Sequence, residues 1–393
     1  MVNASASAAP SPQPIIRSRL RETDWPLVAW RLVCGFAVTI PFSIAIAQVM
    51  LVLAVVAAAI DWQRRGRPLP HTPIDLPVLG FAASGLLAAF VGLHPVDSLW
   101  GLRTYLQVVI VYLVYAYVDS FERARDLIRC FLVGSAVTSL YTVLGRLAPV
   151  LFPRLFLGQM TQSGQLLFAI GITLSLIVGG TLRGRSPRVA FALCVLALVC
   201  NLKRGVWLGV VVTVLTVSLF MGRRLVLVAG LVVVLALATV PPVRARIGNA
   251  TRDLLLPGNR RDIWAAAIDV VHRFPMGVGR KNGEILRDYP NIPSRHKHAH
   301  NNLLQVTLEN GWLGLAMFLW WMGTYAARAW AVLRRIPMTH PFFPLAVAIF
   351  STFVGFHVAG LVEYNFGDSE VLEIFLLTMG LGLIVDRGTG RGE

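Results

Sequence analysis

VAFALCVLALVCNLKRGVWLGVVVTVLTVSLFMGRRLVLVAGLVVVLALATVP, Val189 to Pro241, is three apolar runs broken only by Lys203-Arg204 and Arg223-Arg224. The bilayer interior offers no partner to an unpaired backbone amide or carbonyl, so a chain crosses it as helices of about 20 apolar residues. Runs 189–203, 206–222 and 224–241 read as such spans, joined by turns too short for a soluble domain.

The same pattern extends both ways. Runs at 27–41, 43–61, 76–94, 104–120, 129–147 and 164–182 precede this stretch, and runs at 311–331, 342–362 and 371–386 follow it. The expected fold is all-α: a polytopic membrane protein of about twelve transmembrane helices. Composition agrees, since 56% of the 393 residues are hydrophobic and 14% charged, with mean hydropathy +0.66. Such a chain is too apolar for a water-soluble domain. No tandem repeat or heptad pattern is visible, nor are the inverted repeats of many transporters.

The formal net charge of +16 would suggest nucleic acid in a soluble protein. Here it orients helices, because cytoplasmic loops collect Lys and Arg. Arg64, Arg65 and Arg67 follow the second run, and Arg123, Arg125 and Arg129 the fourth. Arg183, Arg185 and Arg188 follow the sixth, Arg223-Arg224 the eighth, Arg334-Arg335 the tenth, and Arg387 with Arg391 the twelfth. Every cluster follows an even-numbered span, so both termini are expected in the cytoplasm and no nucleic-acid partner is expected. Residues 1–25 lack the early apolar core of a signal peptide and read as a disordered cytoplasmic tail. Spans one to nine then occupy 26–241, a large loop 242–310, spans ten to twelve 311–386, and a short tail 387–393.

The loop between spans nine and ten lies outside the cytoplasm on this topology. It nevertheless carries eleven Lys/Arg against six Asp/Glu, and orientation does not explain them. A long loop can be translocated despite its charge, so function is the better account, and an anionic lipid-linked substrate fits it. The loop is expected to be helical, with one amphipathic helix over Asn259–Val271 placing Ile263, Trp264, Ala267 and Val271 on one face.

Lys203-Arg204 lies at the outer end of span seven, where a charge could simply snorkel to the interface. The other charged pairs at span ends face the cytoplasm, and the guanidinium fork of Arg204 matches phosphate oxygens. Arg260 and Arg261 open the loop helix, where positive charge opposes the macrodipole but helps backbone amides hold an anion. They could also be a solvated pair beside Asp262. His298 and His300 are candidates for accepting a hydroxyl proton near neutral pH, although a lone histidine in such a loop is often only polar surface. Metal binding is not expected, because no partners stand at ligand spacing, and Cys34, Cys130, Cys194 and Cys200 read as packing residues. In the last outer loop, Glu363, Asp368 and Glu370 could orient a histidine, bind sugar hydroxyls or be ordinary acids. Arg103, Arg154 and Gln162 are weaker candidates for glycan or phosphate contact.

Three places carry a resemblance to the O-antigen ligase family, within the superfamily that includes O-antigen polymerases and bacterial O-oligosaccharyltransferases. The first is His300-Asn301, nine residues, then Gly311-Trp312-Leu313-Gly314, similar to that family's His-Asn-x9-Gly-x-x-Gly signature. The second is Arg204-Gly205 at a span boundary. The third is Arg260, or Arg261, shortly before Trp264 with Pro275-x-Gly277-x-Gly279 downstream. Leu315 and Ala316 depart from the small polar residues that often follow the last glycine.

The resemblance implies a glycosyltransferase of the bacterial inner membrane with its active site facing the periplasm. It would move O-antigen glycan from undecaprenyl diphosphate to a hydroxyl of lipid A–core oligosaccharide, inverting the anomeric centre without a metal or cofactor. His300 would activate the acceptor while Arg204 and Arg260 or Arg261 hold the diphosphate. Lys203, His298, Asn301, Arg103, Gln162, Glu363 and Asp368 would bind substrate. Besides these two substrates, membrane lipids are the expected partners. Alternatives are an O-antigen polymerase, a protein O-glycosyltransferase, and, in a different class, a transporter of an anionic polyprenyl lipid.

Overall fold

Among the described residues the apolar runs close their backbone hydrogen bonds within helices, and no strand forms. The computed structural model describes residues 23–66, 70–148, 159–222, 241–249, 259–293 and 296–390, with isolated residues between 224 and 256. The expected ninth span and Arg154 therefore fall largely or wholly outside the described residues, as do most of the N-terminal tail and the last three residues.

The first helices are α1 (Trp25–Thr39) and α2 (Ile44–Arg65), with Pro41 in the break between them. The Asp24 side chain accepts a hydrogen bond from the Leu27 amide and Ser43 from the Ile46 amide, supplying the N-caps that separate helices require. Next come α3 (Asp75–Val91), α4 (Pro95–Gly101), a 3-10 turn at Leu102–Val108, α5 (Val109–Tyr117) and α6 (Phe121–Leu147). The span expected at 104–120 thus starts earlier and is interrupted. The Thr104 hydroxyl donates to the Gly101 carbonyl at 3.1 Å, and Gly101 itself is pressed against the Arg280 side chain.

Beyond these lie α7 (Gln159–Val178), α8 (Ser186–Asn201), α9 (Arg204–Met221) and α10 (Pro241–Gly248). The loop helix α11 (Arg260–Arg273) follows, then α12 (Asn302–Arg335), α13 (Phe343–Gly360) and α14 (Ser369–Gly390). Among the described residues, six segments are long and apolar enough to cross a membrane: Ile44–Arg65, Pro95–Tyr117, Phe121–Leu147, Thr161–Val178, Arg204–Met221 and Phe343–Gly360. With the shorter apolar helices α1, α3 and α8, they make this a polytopic membrane protein.

Small residues set the closest approach inside the bundle. A Cβ on Gly209 of α9 would stand 2.6 Å from the Gly355 carbonyl of α13. Apolar burial drives helices together weakly in lipid, so close backbone packing of this kind carries much of the association. Members of three of the arginine clusters, Arg65, Arg123 and Arg387, come together around Tyr115 to Val118. Arg123 donates to the Tyr117 carbonyl, Arg387 to those of Tyr115 and Val118, and Tyr117 to Asp61, which pairs with Arg65.

A second, smaller core belongs to the loop. Ile263, Ala267, Val270 and Val271 of α11 are buried against Val278, Leu286, Ile292, Ala299 and Leu308. The expected apolar face holds for Ile263, Ala267 and Val271, while Trp264 sits at its edge. Leu308 belongs to α12, so this small core is built directly onto the top of a long helix.

Candidate active site

Gly311 divides α12 in two, with φ +69° inside an otherwise continuous helix. The residues just before it are grasped from the side by the Pro275–Gly279 turn. Val278 and Gly279 donate to the carbonyls of Leu308 and Glu309 at 2.9 and 3.0 Å, and Trp312 donates to the Pro275 carbonyl at 3.0 Å. Gly277 and Gly279 also take positive φ, and a Cβ on Gly277 would stand 2.5 Å from the Glu309 carbonyl. The spaced glycines are therefore where two backbones touch in a conformation that L side chains resist.

The other end of this half-helix presents the histidines. Asn301 is the N-cap of α12: its side-chain oxygen accepts from the Leu304 amide at 3.0 Å, and its amide donates to the Leu361 carbonyl at 2.9 Å. Asn301 thus serves as a cap and tether in this structure. His300 precedes it with φ +49°, an uncommon conformation for a residue with a side chain. Gln305 secures the strained loop by accepting from the Ala299 amide at 2.7 Å.

From α11, Trp264 donates its indole N–H to the Ala299 carbonyl at 2.9 Å. One helical turn earlier, Arg260 reaches Glu363, with Nη2 2.8 Å from Oε1. The four-residue spacing puts both on one helix face, so α11 grips the histidine loop and the last outer loop together. Arg261 is exposed and carries no such contact, so of the two adjacent arginines Arg260 is the one turned towards Glu363.

Glu363 is the meeting point. It follows α13, is 5% exposed, and its second oxygen lies 3.9 Å from His300 Nδ1. A Cβ on Gly205 would come within 2.7 Å of its Cγ, so the glycine after Arg204 is what lets the start of α9 close over this carboxylate. Burial alone would push Glu363 up, but His300, Arg260 and Lys203 outweigh it and hold the carboxyl below the ordinary carboxylate range. Lys203 and Arg204 are half-buried at the same helix start.

Three imidazoles crowd the opposite side. His298 packs against His300 with ring centroids 4.1 Å apart and against Tyr364 at 5.5 Å. Burial, followed by the charges of His300 and His296, pushes His298 down to about 4, so it stays neutral near pH 7. His296 Nδ1 lies 3.3 Å from His300 Nε2. Neither the motif nor its spacing pointed to His296. Asp368 sits nearby, pushed up to about 6 by burial and Glu370, against a hydrogen bond from Thr161 and the charge of Lys203. Among the described residues no His, Cys, Asp and Glu cluster could hold a metal ion.

Two expected site residues lie elsewhere. Arg103 stacks over the Trp100 ring at 4.9 Å. Gln162 is buried between helices, accepting from the Asn201 amide at 3.0 Å; it braces the turn before Lys203. Conversely, sequence reading passed over Arg280 and Glu309, an ion pair at 3.4 Å whose side chains are 13% and 7% exposed. They stand with Asn310 and Tyr364 at one end of a cavity of about 1060 Å³. Its walls run along α3, α5, α12 and α14 to Thr72 and Asp75 at the other end and are mostly apolar. The volume lies just above the usual ligand-site range of about 300–1,000 Å³.

Comparison with known proteins meets the site at this point. A Rickettsia typhi protein named "Putative polysaccharide ligase" is 35% identical over 68 residues, 17% of this chain and 15% of that protein. A Rickettsia felis protein of the same name is 28% identical over 88 residues, 22% of this chain and 18% of its own length. The matched segments are thus a small part of those relatives. Residues 189–319, which hold Arg204, Arg260, the glycine turn and the histidine signature, match the O-antigen ligase family.

Proposed function

We propose that this protein is a membrane glycosyltransferase that moves O-antigen glycan from undecaprenyl diphosphate to a hydroxyl of lipid A–core oligosaccharide. The observation that carries the reading is the convergence on Glu363 of Arg260, the Lys203-Arg204 turn and His300. Cations able to neutralise a diphosphate and an imidazole able to activate a hydroxyl stand within one side chain of each other. The O-antigen ligase match and the polysaccharide ligase names of the relatives support the same class.

The chain crosses the inner membrane twelve times with both termini in the cytoplasm, and loop 242–310 lies in the periplasm. The cavity takes the polyprenyl tail, and the diphosphate lies near Arg204 and Arg260. The acceptor oxygen attacks the anomeric carbon from the face opposite the diphosphate. The new C–O bond forms as the old one breaks, the electron pair leaves on the diphosphate oxygen, and the anomeric centre inverts. Charge grows on that oxygen in the transition state, where a preplaced donor contributes on the order of 2–4 kcal/mol. His300 activates the acceptor hydroxyl, and Glu363 stabilises the imidazolium that results.

The test is incubation of the purified protein with undecaprenyl-diphosphate glycan and lipid A–core that lacks O-antigen, beside His300→Ala. Glycan on the core with wild type and its loss in the variant supports the reading. Chain growth on the polyprenyl donor alone would make the protein a polymerase, and neither product would favour transport of the lipid.

A further inference from the structure

Stability alone does not account for the buried pair Arg280–Glu309. Taking both charges out of water is costly, and only close, well-satisfied geometry repays it. Here Arg280 Nη1 stands 3.4 Å from Glu309 Oε2, beyond the roughly 2.7–2.9 Å of a charge-assisted bond. The other Glu309 oxygen already accepts from Gln305 at 2.9 Å. Tyr105 lies against the guanidinium, its ring centroid 5.2 Å away. A guanidinium carries five N–H donors, more than these neighbours use. Beside it, Asn310 donates to the Tyr105 hydroxyl while its own Oδ1 is buried without a partner. A half-turn of that amide lets Oδ1 accept from the hydroxyl and frees the N–H2 to donate to an anion. A buried polar atom left over in this way marks room for a group that the protein does not supply.

These residues stand at one end of the apolar cavity of about 1060 Å³. Leu76, Leu79 and Leu106 line it and are largely exposed on the outside of the bundle, so a lipid tail has a sideways way in. The cavity follows α3, whose 17 residues span about 25 Å, close to the thickness of a bilayer core. Tyr364 lines the polar end, and its ring also meets that of His298 at 5.5 Å. Glu363 is the next residue in the chain. The lipid whose head reaches the histidine cluster is therefore the one whose tail fills this cavity.

We infer that Arg280 is a donor-binding residue, which holds the phosphate bonded to the polyprenyl tail while Arg204 and Arg260 hold the phosphate bonded to the sugar. The two phosphates play different parts. The bond that breaks joins the sugar to its own phosphate, so charge grows at Arg204 and Arg260. The tail-side phosphate changes little along the reaction, and a contact to it lowers KM without raising kcat. Glu309 opposes the anion beside Arg280, so the seat holds the donor without trapping the lipid product, which leaves by the same opening.

This inference rests on the proposed transfer reaction, and its test separates the two. Full-length wild type, Arg280→Gln, Glu309→Gln and the double variant are assayed in phosphatidylcholine nanodiscs with the donor and acceptor above. Arg280→Gln should raise the donor KM about 10-fold or more, and Glu309→Gln should lower it about threefold. In both, kcat and the acceptor KM should stay within about threefold. The double variant leaves no lone buried charge, and its donor KM should be raised like that of Arg280→Gln. If the two single variants move the donor KM in the same direction, or leave it unchanged, the pair is structural and the seat is overturned while the transfer reading stands. A polyprenyl diphosphate carrying a diazirine in its first isoprene units reads binding without turnover. It should label α3, the Leu102–Val108 turn or Phe366, and less so in Arg280→Gln. Labelling elsewhere, or labelling that excess phosphatidylglycerol removes, would overturn the seat. Labelling of the cavity by a wild type that transfers nothing to core would sink the transfer reading and leave the seat in place.

Discussion

A carboxylate as buried as Glu363 is tolerated because the Arg260 guanidinium meets it, and removing its charge leaves that guanidinium without its partner. Glu363→Gln keeps the shape, and activity should fall about 10²-fold as imidazolium stabilisation is lost. The pair lies between the surface and buried limits, so the variant should also lose about 1–3 kcal/mol of stability. Its folded-state value is held below the ordinary 4.5, so this stabilisation is present above pH 4.5 and disappears as pH falls further. Thermal unfolding followed across pH should therefore show wild type and variant converging in acid; parallel curves would deny the charge its role. Asp368 has the opposite sign. Pushed up to about 6, it favours the fold as the neutral acid and loses that contribution as pH rises through 6. Asp368→Asn should raise the unfolding temperature at pH 8 and change it little at pH 4. Among these groups, Arg204, Arg260 and His300 stood out in the sequence as candidates because each falls in a short local motif. His296 and the Arg280–Glu309 pair did not, since their partners come from distant segments or from a loop without periodicity.

At the scale of elements, α12 shows how a sequence signature becomes geometry. Nine residues between Asn301 and Gly311 are a stretch of helix capped by the first and broken at the second. The histidine loop is thereby fixed relative to the Pro275–Gly279 turn at the other end. Gly311→Ala adds a Cβ at φ +69° against the backbone of Pro275 and Met276, so it should cost about 1–3 kcal/mol. Because the strain falls where the loop domain is anchored, activity should drop at temperatures where the membrane helices stay folded. A lowered midpoint for activity with unchanged helical circular dichroism would show this, and an unchanged midpoint would sink it. The long helices were legible from apolar runs, and α11 from its 3.6-residue period. The break at Leu102–Val108 was not, because an apolar run reports immersion and says nothing of whether the helix inside it is continuous. That break places Tyr105 on the cavity wall beside Asn310, whose amide donates to its hydroxyl at 2.7 Å.

For the whole molecule, the sequence-based topology puts the arginine clusters and the basic loop on opposite sides of a membrane. The topology can be tested through parity. Arg185, between α7 and α8, and Glu284, in the loop, are separated by the expected spans 189–203, 206–222 and 224–241. Three crossings put the two residues on opposite sides; if 224–241 did not cross, they would share one side. A chain with Cys34, Cys130, Cys194 and Cys200 replaced by Ala could carry one new cysteine, Glu284→Cys or Arg185→Cys, both at exposed positions. In cells with a permeabilised outer membrane, an impermeant maleimide should label Glu284→Cys at once and Arg185→Cys only after the inner membrane is broken. Labelling of both from outside, or of Arg185→Cys alone, would reverse or remove the proposed periplasmic site. The result bears on chemistry as well as topology, because a glycan already carried across the membrane can meet His300 and Arg260 only on the periplasmic side.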